Sequence, residues 1–454
     1  MSRFRSVNMT DGPFAAKILL FTLPLAASSI LQLLFNAADV IVVGRFCGST
    51  SLAAVGSNGS LINLLVNLFM GLSIGANVVA ARFFGAKDDR AVSETVHTSI
   101  LLSLIGGILL GIIGFFSART LLVWMSTPAD VIDLAAVYLR IYFLGMPVLM
   151  LYNFGSALLR AVGDTTRPLI CLAVSGVLNV ILNLVFVIRF QMNVAGVALA
   201  TVISEALSAA MVLFILLHEN GPLRLDLGEL RLSAGPLWQM LRIGIPAGLQ
   251  GTVFSLSNVV IQSSINSFGS VVVAGSSASS NLENFVYVSM DACYQACLTF
   301  TSQNIGARRY RNINRVLGCS MGWVCAIGLL LGLGMVAAGR PLLSIYCTDP
   351  AVIEAGYRRL LIIAGPYVLC GIMEVWVGSL RGMGYSVIPM IVSLLGSCVF
   401  RLIYIATIFQ QYPTERVLYL CYPISWLLTL AAHAVCFCIV RRKFREAAPA
   451  AVGQ

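Results

Sequence analysis

Charge is scarce in this 454-residue chain: Asp, Glu, Lys and Arg together make up 11% of it. A soluble domain carries about a quarter charged residues, so an ordinary water-facing surface cannot be assembled from this composition. Histidine is nearly missing: His97, His218 and His433 stand far apart and give no metal or acyl-transfer signature. No G-x-x-x-x-G-K-[ST] run is present, so no loop cradles a nucleotide phosphate, and pumping would have to draw on an ion gradient. Absent too is the clustered nucleophile or base that an intramembrane enzyme needs, and no enzyme or cofactor is expected. The first residues lack the short apolar core and small-residue cleavage site of an export signal, so the first apolar segment is expected to stay. The twelve cysteines lie almost entirely within apolar runs. Neither Cys293/Cys297 nor Cys436/Cys438 has a paired zinc spacing, and all read as small hydrophobes.

What fills the chain instead is apolar: 58% hydrophobic residues and a mean hydropathy of +0.90. That is enough for ~12 membrane helices of ~22 residues. Disorder is excluded, and the apolar runs are continuous rather than alternating, which argues against an outer-membrane barrel. The expected fold is all-α integral membrane, with twelve transmembrane helices. Six spans, from 16–42 to 194–218, precede one long polar loop; six more, from 238–265 to 416–440, follow it. The expected organisation is an N-terminal six-helix lobe (1–218), a cytoplasmic linker (219–237), a C-terminal six-helix lobe (238–440) and a basic tail (441–454). Most basic residues, among them Arg3, Arg5, Arg82, Arg160, Arg308 and Arg381, fall on the side that puts both termini in the cytoplasm. The net charge of +10 is read as this orientation signal; a lipid bilayer is the expected partner and nucleic acid is not.

The halves repeat one another. A shift of 221 residues maps Cys47-Gly48-Ser49 onto Phe268-Gly269-Ser270 and Gly85-Ala86 onto Gly306-Ala307. It also maps Leu159-Arg160-x-x-Gly163 onto Leu380-Arg381-x-x-Gly384 and Pro168 onto Pro389, while Pro24 meets Pro246 at 222. An even number of helices per repeat leaves both halves in one orientation, related by a pseudo-twofold axis along the membrane normal. Such halves around a central cavity form a transporter architecture.

At these residues the chain resembles the multidrug and toxic compound extrusion (MATE) family, on its prokaryotic DinF-like side. The resemblance rests on Pro24 with Asp39-x-x-x-x-Gly44, on Leu52-Ala53-Ala54-Val55-Gly56 and on Gly71-Leu72-Ser73-Ile74-Gly75-Ala76. Further matches are Arg160-Ala161-Val162-Gly163-Asp164-Thr165-Thr166-Arg167-Pro168, Gln303-Asn304-Ile305-Gly306-Ala307 and Leu380-Arg381-Gly382-Met383-Gly384. It covers all but the tails.

Acids within apolar spans are rare, so each can be weighed. Gln32, Asn36 and Asp39 share one face of the first span. An intramembrane carboxylate is expensive without partners or water; Asp39 reads as an ion or proton site, or as a polar helix end near Arg45. The fifth span carries Ser175, Asn179 and Asn183 at four-residue steps. The sixth carries Thr201, Ser204, Glu205 and Ser208. The resemblance implies an ion-coupling or proton site of Asp39, Asn179, Asn183 and Thr201, which would be the metal ligands if the ion is Na⁺. At position 183 Asn stands where the resemblance implies Asp, which removes one anionic oxygen and weakens a sodium cage. Glu205, one turn beyond Thr201, either restores that charge or bonds to neighbouring serines.

In the eighth span Glu283, Tyr287, Met290 and Tyr294 recur at offsets 0, 4, 7 and 11, and Asn281, Asn284, Asp291 and Gln295 lie near another face. An acid flanked by tyrosines and methionine suits a delocalised organic cation; ordinary packing is the other reading. Gln32, Asn36, Glu283, Tyr287, Met290, Asp291 and Tyr294 are therefore the substrate-binding candidates. Glu374 could pair with Arg381. Pro24 removes a backbone hydrogen bond and offers a hinge in the first span.

The expected function is a secondary antiporter of a bacterial cytoplasmic membrane. It exports organic cations or amphiphilic drugs in exchange for H⁺ or Na⁺ by alternating access, as a monomer. A flippase for a lipid-linked sugar or cell-wall precursor is the alternative. It would want several cavity-facing arginines for a pyrophosphate, and Arg140 and Arg401 are the main interior candidates.

Overall fold

The computed structural model describes residues 7–125 and 127–446. Among these there are helices, turns and loops and no strand. In chain order the first helices are α1 (Phe14–Phe46), α2 (Ser49–Gly85), α3 (Asp89–Trp124), α4 (Ile132–Leu144), α5 (Met146–Ala161), α6 (Thr166–Leu184) and α7 (Asn193–Leu217). They are followed by α8 (Ala234–Asn266), α9 (Ser270–Gly306), α10 (Asn312–Ala337), the short α11 (Gly339–Ser344), α12 (Pro350–Ile363) and α13 (Val368–Gly382). The last are α14 (Val387–Ser393), α15 (Phe400–Tyr404) and α16 (Glu415–Glu446).

Among the described residues, ten stretches are long and apolar enough to cross a membrane, and the pair α4 and α5, bent by 48° at Gly145, makes an eleventh. The one remaining expected span, the eighth, is α9. Its 37 residues are ample, but its Ser, Asn, Glu and Asp content leaves it less apolar than the rest. Several spans are broken where the sequence reading drew them whole. The fourth bends at Gly145; the tenth joins α12 to α13 through a 3-10 turn, Gly365–Tyr367. The eleventh is α14 and α15 separated by one π-helical stretch, Leu394–Val399, and followed by another, Ile405–Phe409.

The internal repeat is written into the backbone. Left-handed φ values occur at Gly48 (87°) and Gly269 (90°), at Lys87 (57°) and Arg308 (56°), and at Gly163 (96°) and Gly384 (93°). Each pair is 221 residues apart. Gly163 has a second reason to lack a side chain, because a Cβ there would come within 2.6 Å of the Val7 carbonyl oxygen.

The chain packs as two compact units. One includes Ala27–Gly248; the other joins Asn8–Ala26 to the chain from Leu249 onward. The units thus change inside α1 and α8, two residues after Pro24 and Pro246, and not in the polar loop. In the first unit Val92, Val96, Leu158, Leu159 and Leu216 build a core that also takes in Leu223 and Leu225. Residues 219–237 are therefore no loose tether. His97, buried in α3, receives the Asp226 N–H on Nε2 at 3.0 Å, and Thr98 Oγ1 receives the Ser233 N–H at 3.0 Å. In the second unit Ile261, Ile265, Met373, Leu418 and Tyr419 form a comparable core. The tail expected from 441 begins as the last turns of α16. Its remainder, 447–454, lies outside the described residues, as do Arg3 and Arg5.

Candidate functional site

In the first unit, polar side chains of α1, α6 and α7 meet at one point. What brings α1 there is a ring against a glycine: a Cβ on Gly176 would come within 1.7 Å of the Phe35 ring. Only a residue without a side chain lets that ring lie on α6. Asp39 is one turn beyond Phe35, and Asn183 is two turns beyond Gly176, so the same contact brings carboxylate and amide together.

Asp39 is buried, with 8% of its surface exposed. Its Oδ1 accepts a hydrogen bond from Asn183 Nδ2, and Thr201 Oγ1 lies 3.4 Å from its Oδ2. Asn183 Nδ2 also faces Asn179 Oδ1 at 3.1 Å, and Asn179 Nδ2 faces Thr201 Oγ1 at 3.5 Å. The single Thr201 hydroxyl proton has a second acceptor, the Val197 carbonyl at 3.0 Å, so it serves one of the two at a time. Asn183 Oδ1 is buried with no partner among the described residues. All four residues implied by the resemblance, Asp39, Asn179, Asn183 and Thr201, therefore form one hydrogen-bonded cluster.

Glu205 is half-buried one turn along α7 and makes no hydrogen bond among the described residues. Ser204 and Ser208, its proposed serine partners, bond elsewhere: to the Ala200 carbonyl at 2.7 Å and to Ser175 Oγ at 2.5 Å. Gln32 and Asn36 are exposed and stand outside the cluster. Among the described residues no three His, Cys, Asp or Glu side chains are grouped as metal ligands.

The second unit treats the eighth-span strip differently from the sequence reading. Glu283 is buried in a two-pronged ion pair: Arg359 Nε and a terminal nitrogen each lie 3.0 Å from one carboxylate oxygen. Ser279 Oγ adds a third donor at 2.8 Å. The charge reserved for a cation is thus already balanced by an arginine 76 residues away. Met290 is core, its sulfur within 2.6 Å of where a Gly371 Cβ would stand. Tyr294 is buried and accepts from an Arg381 terminal nitrogen at 2.7 Å. Tyr287, by contrast, is 37% exposed, and Asp291 is half-buried and accepts from Gln295 Nε2 at 2.7 Å. The strip is split: Tyr287 is on the open side, as is Asp291 of the neighbouring face, while Glu283, Met290 and Tyr294 turn inward. Glu374 makes no ion pair with Arg381, whose other terminal nitrogen goes to Gln250 Oε1 at 2.9 Å.

Arg359 was missed by sequence reasoning, and Arg401 was weighed only for a flippase. Neither has a spacing to its partners that marks it in the sequence. A cavity of about 610 Å³, lined by Phe268, Arg358, Glu415 and Tyr419 among others, opens at one end of this unit beside the Arg358–Glu415 pair.

A buried acid held by an amide and a hydroxyl from separate membrane-length helices, within a duplicated helical chain, defines a multi-pass membrane transporter. The MatE family model matches residues 24–185 and 246–407, one match per repeat and each starting at a helix-interior proline; the chain belongs to this family. It is 28% identical over 382 residues to the probable multidrug resistance protein YoeA of Bacillus subtilis, spanning 83% of this chain and 82% of that one. It is 22% identical over 395 residues to an FAD transporter of Shewanella oneidensis, spanning 85% and 86%. A crystal structure of MATE in complex with MaL6 superposes with a TM-score of 0.91 at 20% identity, over 98% of this chain and all of that one. At that identity the likeness shows the fold: twelve transmembrane helices in two bundles.

Proposed function

We propose that the protein is a secondary active antiporter that exports organic cations or amphiphilic drugs across a bacterial cytoplasmic membrane, driven by inward H⁺ flow. The observation that carries this is Asp39, a buried intramembrane carboxylate whose partners come from α6 and α7. Its two oxygens face donors, the Asn183 amide and the Thr201 hydroxyl. A hard cation prefers a cage of several oxygens, and here an N–H group occupies the place of an oxygen, which favours H⁺ over Na⁺. When Asp39 takes up a proton it becomes a donor. A turn of the Asn183 amide then offers it Oδ1, the oxygen that otherwise has no partner. Protonation would thus exchange one set of hydrogen bonds for another and release α1 from its charged anchor. Pro24, close to where α1 passes between the two units, gives that helix a place to bend.

Tyr287 and Asp291 would offer substrate an exposed ring and a half-buried acid. The multidrug name of the Bacillus subtilis relative supports export of drugs. Dye efflux from energised vesicles, driven first by a pH gradient and then by a Na⁺ gradient, tests the proposal. Efflux under the first alone is expected, and a strict Na⁺ requirement at fixed pH would overturn proton coupling.

A further inference from the structure

Among the described residues, Arg401 is the one buried arginine of the second unit that reaches neither a carboxylate nor a hydrogen-bond partner with its terminal nitrogens. It lies in the eleventh span, Val387–Phe409, and only 3% of its surface is exposed. Its Nε donates to Ser425 Oγ at 2.9 Å, which closes a ladder of Ser393 with His433 (3.0 Å) and Ser397 with Thr429 (3.2 Å). Its guanidinium sits 4.5 Å from the centre of the Tyr422 ring. Arg359, which shares that ring at 5.8 Å, is neutralised by Glu283.

Such a group is expensive to keep in a membrane without an anion or water. Among the described residues only its Nε has a hydrogen-bond partner, and the two terminal nitrogens have none. The helix around them is built to yield: π-helical stretches at 394–399 and 405–409 lie on both sides of Arg401, and such stretches are frequent at functional sites. Beside the guanidinium, Tyr422 is half-buried and lies 5.9 Å from Trp426, a core residue that stacks on Tyr367 at 5.1 Å.

The repeat sharpens the contrast between the halves. At the shift of 221, Tyr422 corresponds to Thr201, Ser425 to Ser204 and Trp426 to Glu205, while Arg401 corresponds to Val180. The second half therefore puts a cation and rings where the first half puts the surroundings of Asp39.

We propose that Arg401 anchors a binding site for aromatic anions: its terminal nitrogens receive the carboxylate or phosphate of a transported solute, and the half-buried Tyr422 holds the solute's ring. A planar guanidinium fits an oxyanion two-prongedly, and the adjoining ring selects flat molecules over inorganic ions. This deepens the transport function proposed above by naming a second substrate class, anionic or zwitterionic aromatics.

Two xanthene dyes of similar shape and opposite charge test it: fluorescein, an anion, and rhodamine 6G, a cation. Binding is read by fluorescence polarisation on the full-length purified protein, with thermal melting as the check on folding. Arg401→Gln should weaken fluorescein at least tenfold and leave rhodamine 6G unchanged. Arg401→Lys should recover part of the loss, and Tyr422→Leu should weaken fluorescein with the arginine intact. Phenyl phosphate and benzoate should compete with fluorescein. Undiminished fluorescein binding by a folded Arg401→Gln protein, or equal losses of both dyes, would overturn the site. So would displacement of fluorescein by phosphatidylglycerol but not by phenyl phosphate or benzoate, since the occupant would then be a lipid headgroup. Because the readout is binding, absent efflux in vesicles together with the expected fluorescein losses would overturn transport and keep the site. Normal efflux without those losses would do the reverse.

Discussion

The Asn183 side-chain amide donates to the Asp39 carboxylate across 144 residues of chain. That bond ties α1 to α6 at the acid on which the proposed coupling depends. It uses the N–H side of the amide and leaves Asn183 Oδ1 without a partner.

Turning that amide into a carboxylate reverses its chemistry. Asn183→Asp replaces a donor by a second anion beside Asp39. The two acids are then expected to share a proton or draw in a cation. The variant should acquire a Na⁺ dependence of dye efflux that the parent lacks, measured at fixed pH with and without external Na⁺.

The Phe35–Gly176 contact sets the same geometry without any charge. Gly176→Ala puts a methyl group where the ring lies, so α1 must shift from α6. Gradient-driven efflux should fall at least tenfold with Asp39 still in place, and the protein should melt at a lower temperature. Overpacking of this kind costs about 1–3 kcal/mol. Adding Phe35→Leu, which makes room for the methyl, should recover part of both losses.

Glu283 is expected to behave as a structural partner and not as a cation receptor. Glu283→Gln leaves Arg359 buried without its countercharge, an arrangement that costs about 3–5 kcal/mol. The melting temperature should drop sharply. Replacing both residues together by apolar side chains of similar volume should recover much of it. Selective loss of cationic dyes by a fully stable Glu283→Gln protein would return this acid to the substrate surface.

Tyr287 and Tyr294, two turns apart on α9, should separate cleanly. Tyr287 is exposed, so Tyr287→Ala should weaken cationic aromatic dyes several-fold, in line with a cation–π contact of about 1 kcal/mol, and barely move the melting temperature. Tyr294 is buried against Arg381, so Tyr294→Ala should act on stability first.

Composition and periodicity are enough to reveal a helical membrane protein, and the repeat at 221 recurs in the backbone as matched left-handed positions in both halves. The Asp39 cluster was within reach because its members recur at helical spacing on spans that the family resemblance links. The split of the α9 strip was not. Offsets of 0, 4, 7 and 11 place residues along one helix, but they do not tell which neighbour covers each. Glu283 lost its assigned role to Arg359, and that pairing depends on how α9 and α12 pack, which no local spacing records. The passage of α1 and α8 between units is hidden for the same reason, since each helix is one continuous apolar run.

Proton coupling through Asp39 is tested most directly by proton-driven efflux of rhodamine 6G from vesicles holding the Asp39→Asn protein. The amide keeps the size of the side chain, turns one acceptor oxygen into a donor as protonation would, and removes its titration. The variant should insert, melt near the parent's temperature and bind the dye, yet show no efflux above the rate without a pH gradient. Efflux at the parent's rate by the folded Asp39→Asn protein would contradict the assignment of Asp39 as the coupling group.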